Sequence, residues 1–578
     1  MTKSDGTMPM WRAWTAAAAL LALLALLGCN SLDPGSTAPI AIQHCEALTG
    51  LQIPATRIGL PTQGAVITSA TRAAEVAPYK DPEGEHLLPT PVRCLVLGRV
   101  LPVDASAPAI NFALNLPLAN WNGRALQSGG GGLGGQVITA PGNKASGRFD
   151  PNPLDVPYPI TQGYVTFGSD QGHPRGDFKF TRNDEAMRNW AFEEIKKTHD
   201  TAMAVIQAAY GSKPKHVFFS GESAGGREAL RAAQKYPDDY AGVIATSPVL
   251  SWYAVHLFDN HVRDRLADGG MLDARAIKLV AERTRMSCDA ADGLADGVVA
   301  RYLECGNDVA QLQCKQGQPP DTCLSPAQVA AVQALRDPRA MGVPYAHGIT
   351  RFPGFGVTGD EDGSGWQWPF YPIGTEAPSR PLPPGMGFEP RRGAILNFGA
   401  FLIRHTIVQR EDFDPYGFDA RPHAARILEL SRLFDATDPD LSRFASRGGK
   451  LIIVHPSADN AAPLTMSAEY LGSVVDRLGQ QSTDGFMRLY VPAGGSHNVG
   501  GASQLNALAM LEDWVLRGKT PPDAPAAQEL GLEDMRFMRS MPACRFPAYP
   551  RYNGSGDPKL AFSFTCVGRP ALAAMKQQ

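Results

Sequence analysis

The sequence predicts an α/β fold with a mostly parallel sheet and a long insertion near its middle. Three observations carry this. Strand-like and helix-like runs alternate up to about residue 251. The alternation is lost from Trp252 onward, where Pro, Gly and aromatic residues become frequent. It resumes at about residue 446 with the apolar run Lys450-Leu451-Ile452-Ile453-Val454. Alternating strands and helices imply helices packed on a largely parallel sheet.

The first half turns on Gly221-Glu222-Ser223-Ala224-Gly225-Gly226-Arg227. The run Lys215–Ser220 before it is short and β-prone, and the run after it, to Tyr236, is helix-forming without a breaker. Ser223 therefore lies between glycines on a strand-to-helix turn. This is the G-x-S-x-G nucleophile elbow, which lifts a serine hydroxyl clear of the sheet. It also turns the Ala224 N–H, at a helix N-terminus, toward a developing oxyanion.

Before the elbow, Val92–Val100 and Ile110–Leu116 read as the first strands. Trp121-Asn122-Gly123-Arg124 then leads through Ala125–Ser128 into the cluster Gly129–Gly132, Leu133, Gly134, Gly135. That cluster lacks the spacing of a phosphate-binding loop. With an elbow downstream it reads as the second oxyanion loop, Gly131 or Gly132 supplying the N–H. Gly163–Asp170 reads as a strand, His199–Tyr210 as a helix and Ala241–Ser247 as a buried strand. An acid and then a histidine should follow the serine in the chain. Asp459 follows the strand at Leu451, and His497 follows the strand Met487–Val491, both just past C-terminal strand ends, where α/β sheets build their sites. His455 precedes the acid and reads as a supporting histidine. The arrangement is that of an α/β-hydrolase fold, with a catalytic domain over 41–251 and 446–578 and a large inserted lid domain over 252–445.

The chain has 578 residues and a formal charge of −3, with no basic run that would suit a nucleic acid. Lys3 and Arg12 precede an apolar run, Ala16–Leu27, too short to span a bilayer and suited to a signal peptide over 1–28. It ends in Leu26-Leu27-Gly28-Cys29, which resembles the bacterial lipobox; Cys29 would carry the lipid and 29–40 would be a tether. By the same resemblance, Asn30 rather than Asp favours the outer membrane; the alternative is an ordinary cleaved signal with an incidental cysteine, which would give a periplasmic or secreted protein. Membrane contact is thus expected only through this anchor. Removing Cys29 from the nine cysteines leaves an even set, which in an exported protein reads as disulfides. Local pairing would join Cys45 to Cys94, Cys288 to Cys305, Cys314 to Cys323 and Cys544 to Cys566, although many pairings are open to such a set. Asp289, Asp292 and Asp296, interspersed with glycines, offer hard oxygen ligands of the kind Ca²⁺ takes, or else form a solvated acidic loop.

Taken together, these stretches resemble the tannase and feruloyl esterase family. The matching segments are Trp121–Arg124 with its glycine loop, Gly221–Arg227 followed by Ala233–Pro237, Cys288–Cys305, Gly449–Asp459, Gly494–His497 and the Cys544–Cys566 tail. The resemblance implies a serine carboxylic-ester hydrolase acting on small esters of aromatic acids of feruloyl, galloyl or phthalate type. It implies a structural calcium held in the lid by the Asp289, Asp292 and Asp296 side chains and the Leu294 and Val298 carbonyls. The chain departs from the family where paired cysteines usually flank the serine and the histidine: Glu222 and Asn498 stand there instead. Loss of that bridge leaves a second reading, a surface binding protein on a catalytically decayed scaffold. The intact Ser223, Asp459 and His497 oppose it.

Overall fold

Runs of aliphatic and aromatic residues buried on both faces build the centre of the fold. The computed structural model describes residues 44–80, 86–138, 156–363, 367–383, 390–393, 396–497, 500–531 and 536–568. The signal peptide, the lipidation residue Cys29 and the tether expected within 1–40 lie outside the described residues.

Among the described residues the main sheet has 11 strands: β1 (Gln52–Ile53), β2 (Ala65–Ala73), β3 (Arg93–Val100), β4 (Ile110–Pro117), β5 (Arg124–Ser128), β6 (Val165–Ser169), β7 (His216–Glu222), β8 (Gly242–Thr246), β9 (Lys450–Val454), β10 (Met487–Val491) and β11 (Cys544–Arg545). Their order across the sheet is β1-β2-β3-β4-β6-β5-β7-β8-β9-β10-β11. The centre, from β6 through β10, is parallel. β6, β8 and β10 are buried at every position, as parallel strands covered on both sides must be. The edge from β1 to β4 is antiparallel, as are the β4–β6 and β10–β11 pairings. The parallel sheet expected from sequence is therefore the middle of a mixed one. Two strands also precede the expected first pair. β1 has two residues, and β2 carries polar residues along its open face, so neither stands out as an apolar run.

Helices α1 (Glu194–Tyr210) and α2 (Ala224–Lys235) pack on the sheet before the insertion; α3 (Trp252–Arg265), α4 (Ala274–Cys288), α5 (Pro326–Arg336) and α6 (Ala424–Phe434) belong to the insertion; and α7 (Leu464–Leu478) and α8 (Ala507–Arg517) pack on the sheet after it. α1 buries Ile195, Ala202, Val205 and Ile206 on one stripe and stops at Gly211, whose φ of 75° ends the helix without a Cβ clash. α5 opens with a capping box: Ser325 accepts the Gln328 N–H and Gln328 returns the bond. The insertion is fastened to the sheet by two arginines of α2. Arg227 donates to the Phe434 carbonyl at 3.1 Å, and Arg231 donates to those of Leu433 and Asp435 at 3.0 and 3.2 Å. Both arginines are buried, so they satisfy the carbonyl groups that the end of α6 leaves open.

The four local disulfides form: Cys45–Cys94, Cys288–Cys305, Cys314–Cys323 and Cys544–Cys566. The first ties the segment before β1 to β3, and the last ties β11 to the C-terminal strand Phe564–Val567.

Candidate active site

Steric exclusion shapes the turn that carries Ser223. A Cβ on Gly221 would lie 2.1 Å from the Gly225 oxygen, and a Cβ on Gly225 would lie 2.7 Å from the Gly130 oxygen. Only glycine allows β7, α2 and the glycine loop to close on one another at these points. Ser223 itself has φ 59° and ψ −119°, a conformation that costs an L-residue about 1–3 kcal/mol and persists only when its surroundings hold it. Those surroundings are visible. The Ser223 N–H donates to Thr246 O at 3.0 Å, and its carbonyl accepts from Arg227 N at 3.1 Å and from Val249 N at 3.2 Å.

The structure brings the three residues expected to act together within hydrogen-bond range. His497 Nε2 lies 2.9 Å from Ser223 Oγ, and His497 Nδ1 lies 2.8 Å from Asp459 Oδ2. Asp459 can only accept through Oδ2, so Nδ1 carries the proton and Nε2 is left to accept from the serine hydroxyl. The other Asp459 oxygen accepts the Ala461 and Ala462 N–H groups at 2.8 and 2.9 Å. Asp459 and His497 are each 2 % exposed, whereas Ser223 is half-buried, reached from outside. Burial alone would raise the Asp459 carboxyl. The charge and hydrogen bonds of His497 and His455 outweigh it and hold Asp459 well below the usual carboxylate range. His455 donates to the Ala462 carbonyl at 2.7 Å and pairs with Ser467 Oγ at 2.8 Å, so it braces the acid loop and does not reach Ser223.

The glycine loop after β5 lies against the elbow. Gly129 N–H donates to Ser220 O at 2.9 Å, and Gly130 N–H donates to Glu228 Oε2 at 2.9 Å. Those two donors are thus engaged, and Gly131 and Gly132 follow them on the loop, Gly132 with φ 57°. A hydroxyl bound to an imidazole, whose far nitrogen donates to a buried carboxylate, is equipped to lose its proton as it attacks a carbonyl.

Sequence reasoning missed the part the insertion plays here. The Tyr371 ring stacks on the His497 ring, and Trp368 Nε1 donates to Asn460 Oδ1 at 3.2 Å. Gln367 donates to the Ala458 carbonyl at 3.3 Å and also receives a bond from Asn460. The insertion therefore grips the loop that carries Asp459. The aromatic enrichment of this stretch was the only signal in the sequence. Glu222 is the last residue of β7 and is half-buried, while Asn498, expected beside it, lies outside the described residues.

The aspartate-rich loop is closed by Cys288–Cys305. Asp289 accepts the Asp296 and Gly297 N–H groups at 3.1 and 3.0 Å, Asp292 that of Leu294 at 3.0 Å, and Asp296 that of Val298 at 3.2 Å. Asp296 also meets Arg539 at 3.2 Å. Asp292 is 1 % exposed, and burial, then the Asp296 and Asp289 charges, push it up to about 7. The loop carboxylates thus bond to the loop's own N–H groups and to Arg539, and their oxygens are not gathered into one ligand cluster. Among the described residues His199, Asp200 and Asp239 do bring ligand atoms together, but the Lys196 ammonium bridges them, 2.8 Å from Asp200 and 3.0 Å from Asp239.

The sequence pattern of the tannase and feruloyl esterase family matches residues 94–567. An uncharacterised esterase of Agrobacterium fabrum is 34% identical over 543 residues, covering 90% of this chain and 93% of the relative. The mono(2-hydroxyethyl) terephthalate hydrolase of Piscinibacter sakaiensis is 27% identical, covering 87% of this chain and 89% of that one. Among solved structures, feruloyl esterase B from Aspergillus oryzae superposes with a TM-score of 0.70 at 20% identity, over 88% of this chain and 98% of the other, which establishes a shared fold. The chain therefore belongs to the tannase and feruloyl esterase family and is a carboxylic ester hydrolase.

Proposed function

We propose that the protein hydrolyses esters of aromatic acids through an acyl-enzyme on Ser223. The single observation behind this reading is the continuous chain Ser223 Oγ–His497–Asp459, with bonds of 2.9 and 2.8 Å. His497 takes the serine proton as Oγ bonds to the ester carbonyl carbon, and Asp459 stabilises the imidazolium. The Ala224 N–H, with that of Gly131 or Gly132, receives the oxyanion. The tetrahedral intermediate collapses, His497 gives its proton to the leaving alcohol, and the acyl group remains on Ser223. Water, deprotonated by the same histidine, then releases the acid. Tyr371 over His497 and the aromatic insertion suit a flat acyl group, since rings bind with large contact and little lost freedom. The names of the relatives, feruloyl esterase and terephthalate monoester hydrolase, agree with that class. Turnover of a panel of methyl ferulate, methyl gallate and a monoalkyl phthalate tests the reading: at least one should be cleaved at rates far above a simple alkyl acetate, and a clear preference for alkyl acetates would overturn it.

We further assign Asp289, Asp292 and Asp296, with the Leu294 and Val298 carbonyls, to a structural Ca²⁺, which would neutralise a loop far in sequence from the reacting groups. Export from the cytoplasm belongs to the same reading, since four disulfides persist only in an oxidising compartment. The lipobox-like Cys29 is the proposed anchor, and Cys29→Ser should release the protein from membranes.

A further inference from the structure

One buried carboxylate beside the site takes no part in the proton relay. Glu228 sits on α2, one turn past Ala224, and is 1 % exposed. Its Oε2 accepts the Gly130 N–H at 2.9 Å, and its Oε1 accepts from the Gln171 carboxamide. The glycine loop rests directly on this pair. A Cβ on Gly129 would lie 2.8 Å from Glu228 Oε2. A Cβ on Gly130 or Gly134 would lie 2.6 or 1.6 Å from the Gln171 amide atoms. Gln171 is itself held at φ 65°, in the left-handed region, and its N–H donates to Ser169 Oγ at 3.2 Å. The seat is thus built from two elements, α2 and the turn after β6, and the loop's backbone follows its contour.

A run of glycines has no side chains to fix its own shape and loses much conformational freedom on ordering. An oxyanion hole, in contrast, needs its donors within about 0.5 Å of the productive position. Something outside the loop must supply that order. We infer that Glu228 is the positioning residue of the oxyanion hole: oriented by Gln171, its carboxylate anchors Gly130 and thereby aims the N–H groups of Gly131 and Gly132. The inference rests on the acyl-transfer reading of Ser223. Both Glu228 oxygens accept, one per donor, and the Arg227 guanidinium 3.8 Å from Oε1 favours the carboxylate against the burial that pushes this carboxyl up. Ser169, which supports Gln171, in turn donates to Glu194 Oε2 at 2.5 Å, so the seat continues into α1.

The chemistry of the two partners supplies the test. Glu228→Met removes both acceptors, so the Gly130 N–H and the Gln171 carboxamide each lose their partner; Glu228→Gln is milder, because the Gln171 carboxamide can turn over and accept from the new amide. The swap of Glu228→Gln with Gln171→Glu keeps the polarity matched: the new amide on α2 accepts from Gly130 through its oxygen and donates through its nitrogen to the new carboxylate on the turn after β6. Steady-state kinetics on the best ester of the panel should show Glu228→Met lowering kcat about thirtyfold at nearly constant KM, somewhat less than the ~10²–10³ lost when an oxyanion donor is deleted. Affinity for an aryl boronic acid, whose tetrahedral adduct needs the hole, should fall in parallel, while affinity for the matching aryl carboxylic acid stays level. The swap should stay close to the parent. Parental kcat in Glu228→Met, or a loss with unchanged boronate affinity and an equal loss in the swap, would overturn the inference. If Glu228→Met does not fold, Gln171→Met removes only the orienting amide, and a kcat within twofold of parent would count equally against it. Ser223→Ala separates the two levels: activity surviving there removes the acyl-transfer reading itself, whereas an inert Ser223→Ala beside a normal Glu228→Met removes only the role of Glu228.

Discussion

Tyr371 lies with its ring almost parallel to the His497 imidazole, 6.1 Å between centroids and 21° between planes. One residue belongs to the insertion and the other to the loop after β10. The tyrosine ring is buried, so it shields one face of the His497 imidazole from water. Truncation to Tyr371→Ala should lower kcat/KM about tenfold, because water then reaches a site whose electrostatics depend on its exclusion. Stopped assays of the variant against the parent check this, and an unchanged kcat/KM would mean that the ring is only packing.

Replacing Ser223 is the sharpest test of the proposed mechanism. Ser223→Ala should retain the fold, since the hydroxyl adds nothing to the packing of the turn, and should reduce ester hydrolysis more than about a thousandfold. Activity within about tenfold of the parent would remove Ser223 from the role.

Asp459 predicts a pH effect on stability whose sign follows from its depressed carboxyl. Its contribution is present above the unfolded value of ~3.9 and is lost as the pH falls through the lower folded value. Melting temperatures measured at about pH 5 and about pH 3 should therefore drop more for the parent than for Asp459→Asn. Equal drops would show that the carboxylate contributes nothing beyond catalysis. The same variant should lose kcat by about 10³–10⁴, since the amide no longer holds the required His497 tautomer.

Chelation should act on stability. Removal of Ca²⁺ with EDTA should lower the melting temperature by several degrees, as expected for an ion bound only by the folded state, and added Ca²⁺ should restore it. Asp292→Asn should abolish the difference. An identical melting temperature with and without chelator, and no metal by elemental analysis, would remove the ion from the loop.

Legibility from sequence followed contiguity. Ser223 was readable because the elbow's constraints fall within a few adjacent residues: the clash that demands Gly221 and the strand–turn–helix order are local. Asp459 and His497 were readable from chain order and from strand ends, which a parallel sheet brings to one edge. Glu228 and Gln171 were not. Their meeting depends on β6 lying beside β5 across the sheet, and no local pattern specifies that neighbour. Tyr371 and Trp368 were seen only as composition, because the insertion follows no strand or helix period that would assign a face. β1 and β2 were missed because short, half-polar strands acquire their identity from pairing partners.

The separation of 274 residues between Ser223 and His497 has a consequence for the newly made chain. The serine emerges first, then the whole insertion, and only afterwards the acid and the base. Until β9 and β10 dock beside β8, Ser223 has no group to take its proton. On the proposed mechanism, a chain truncated before β9 is therefore silent toward esters, however complete its first half. On that mechanism the order of synthesis acts as a safety catch on the serine, which gains its base only once the strands leading to Asp459 and His497 are in place.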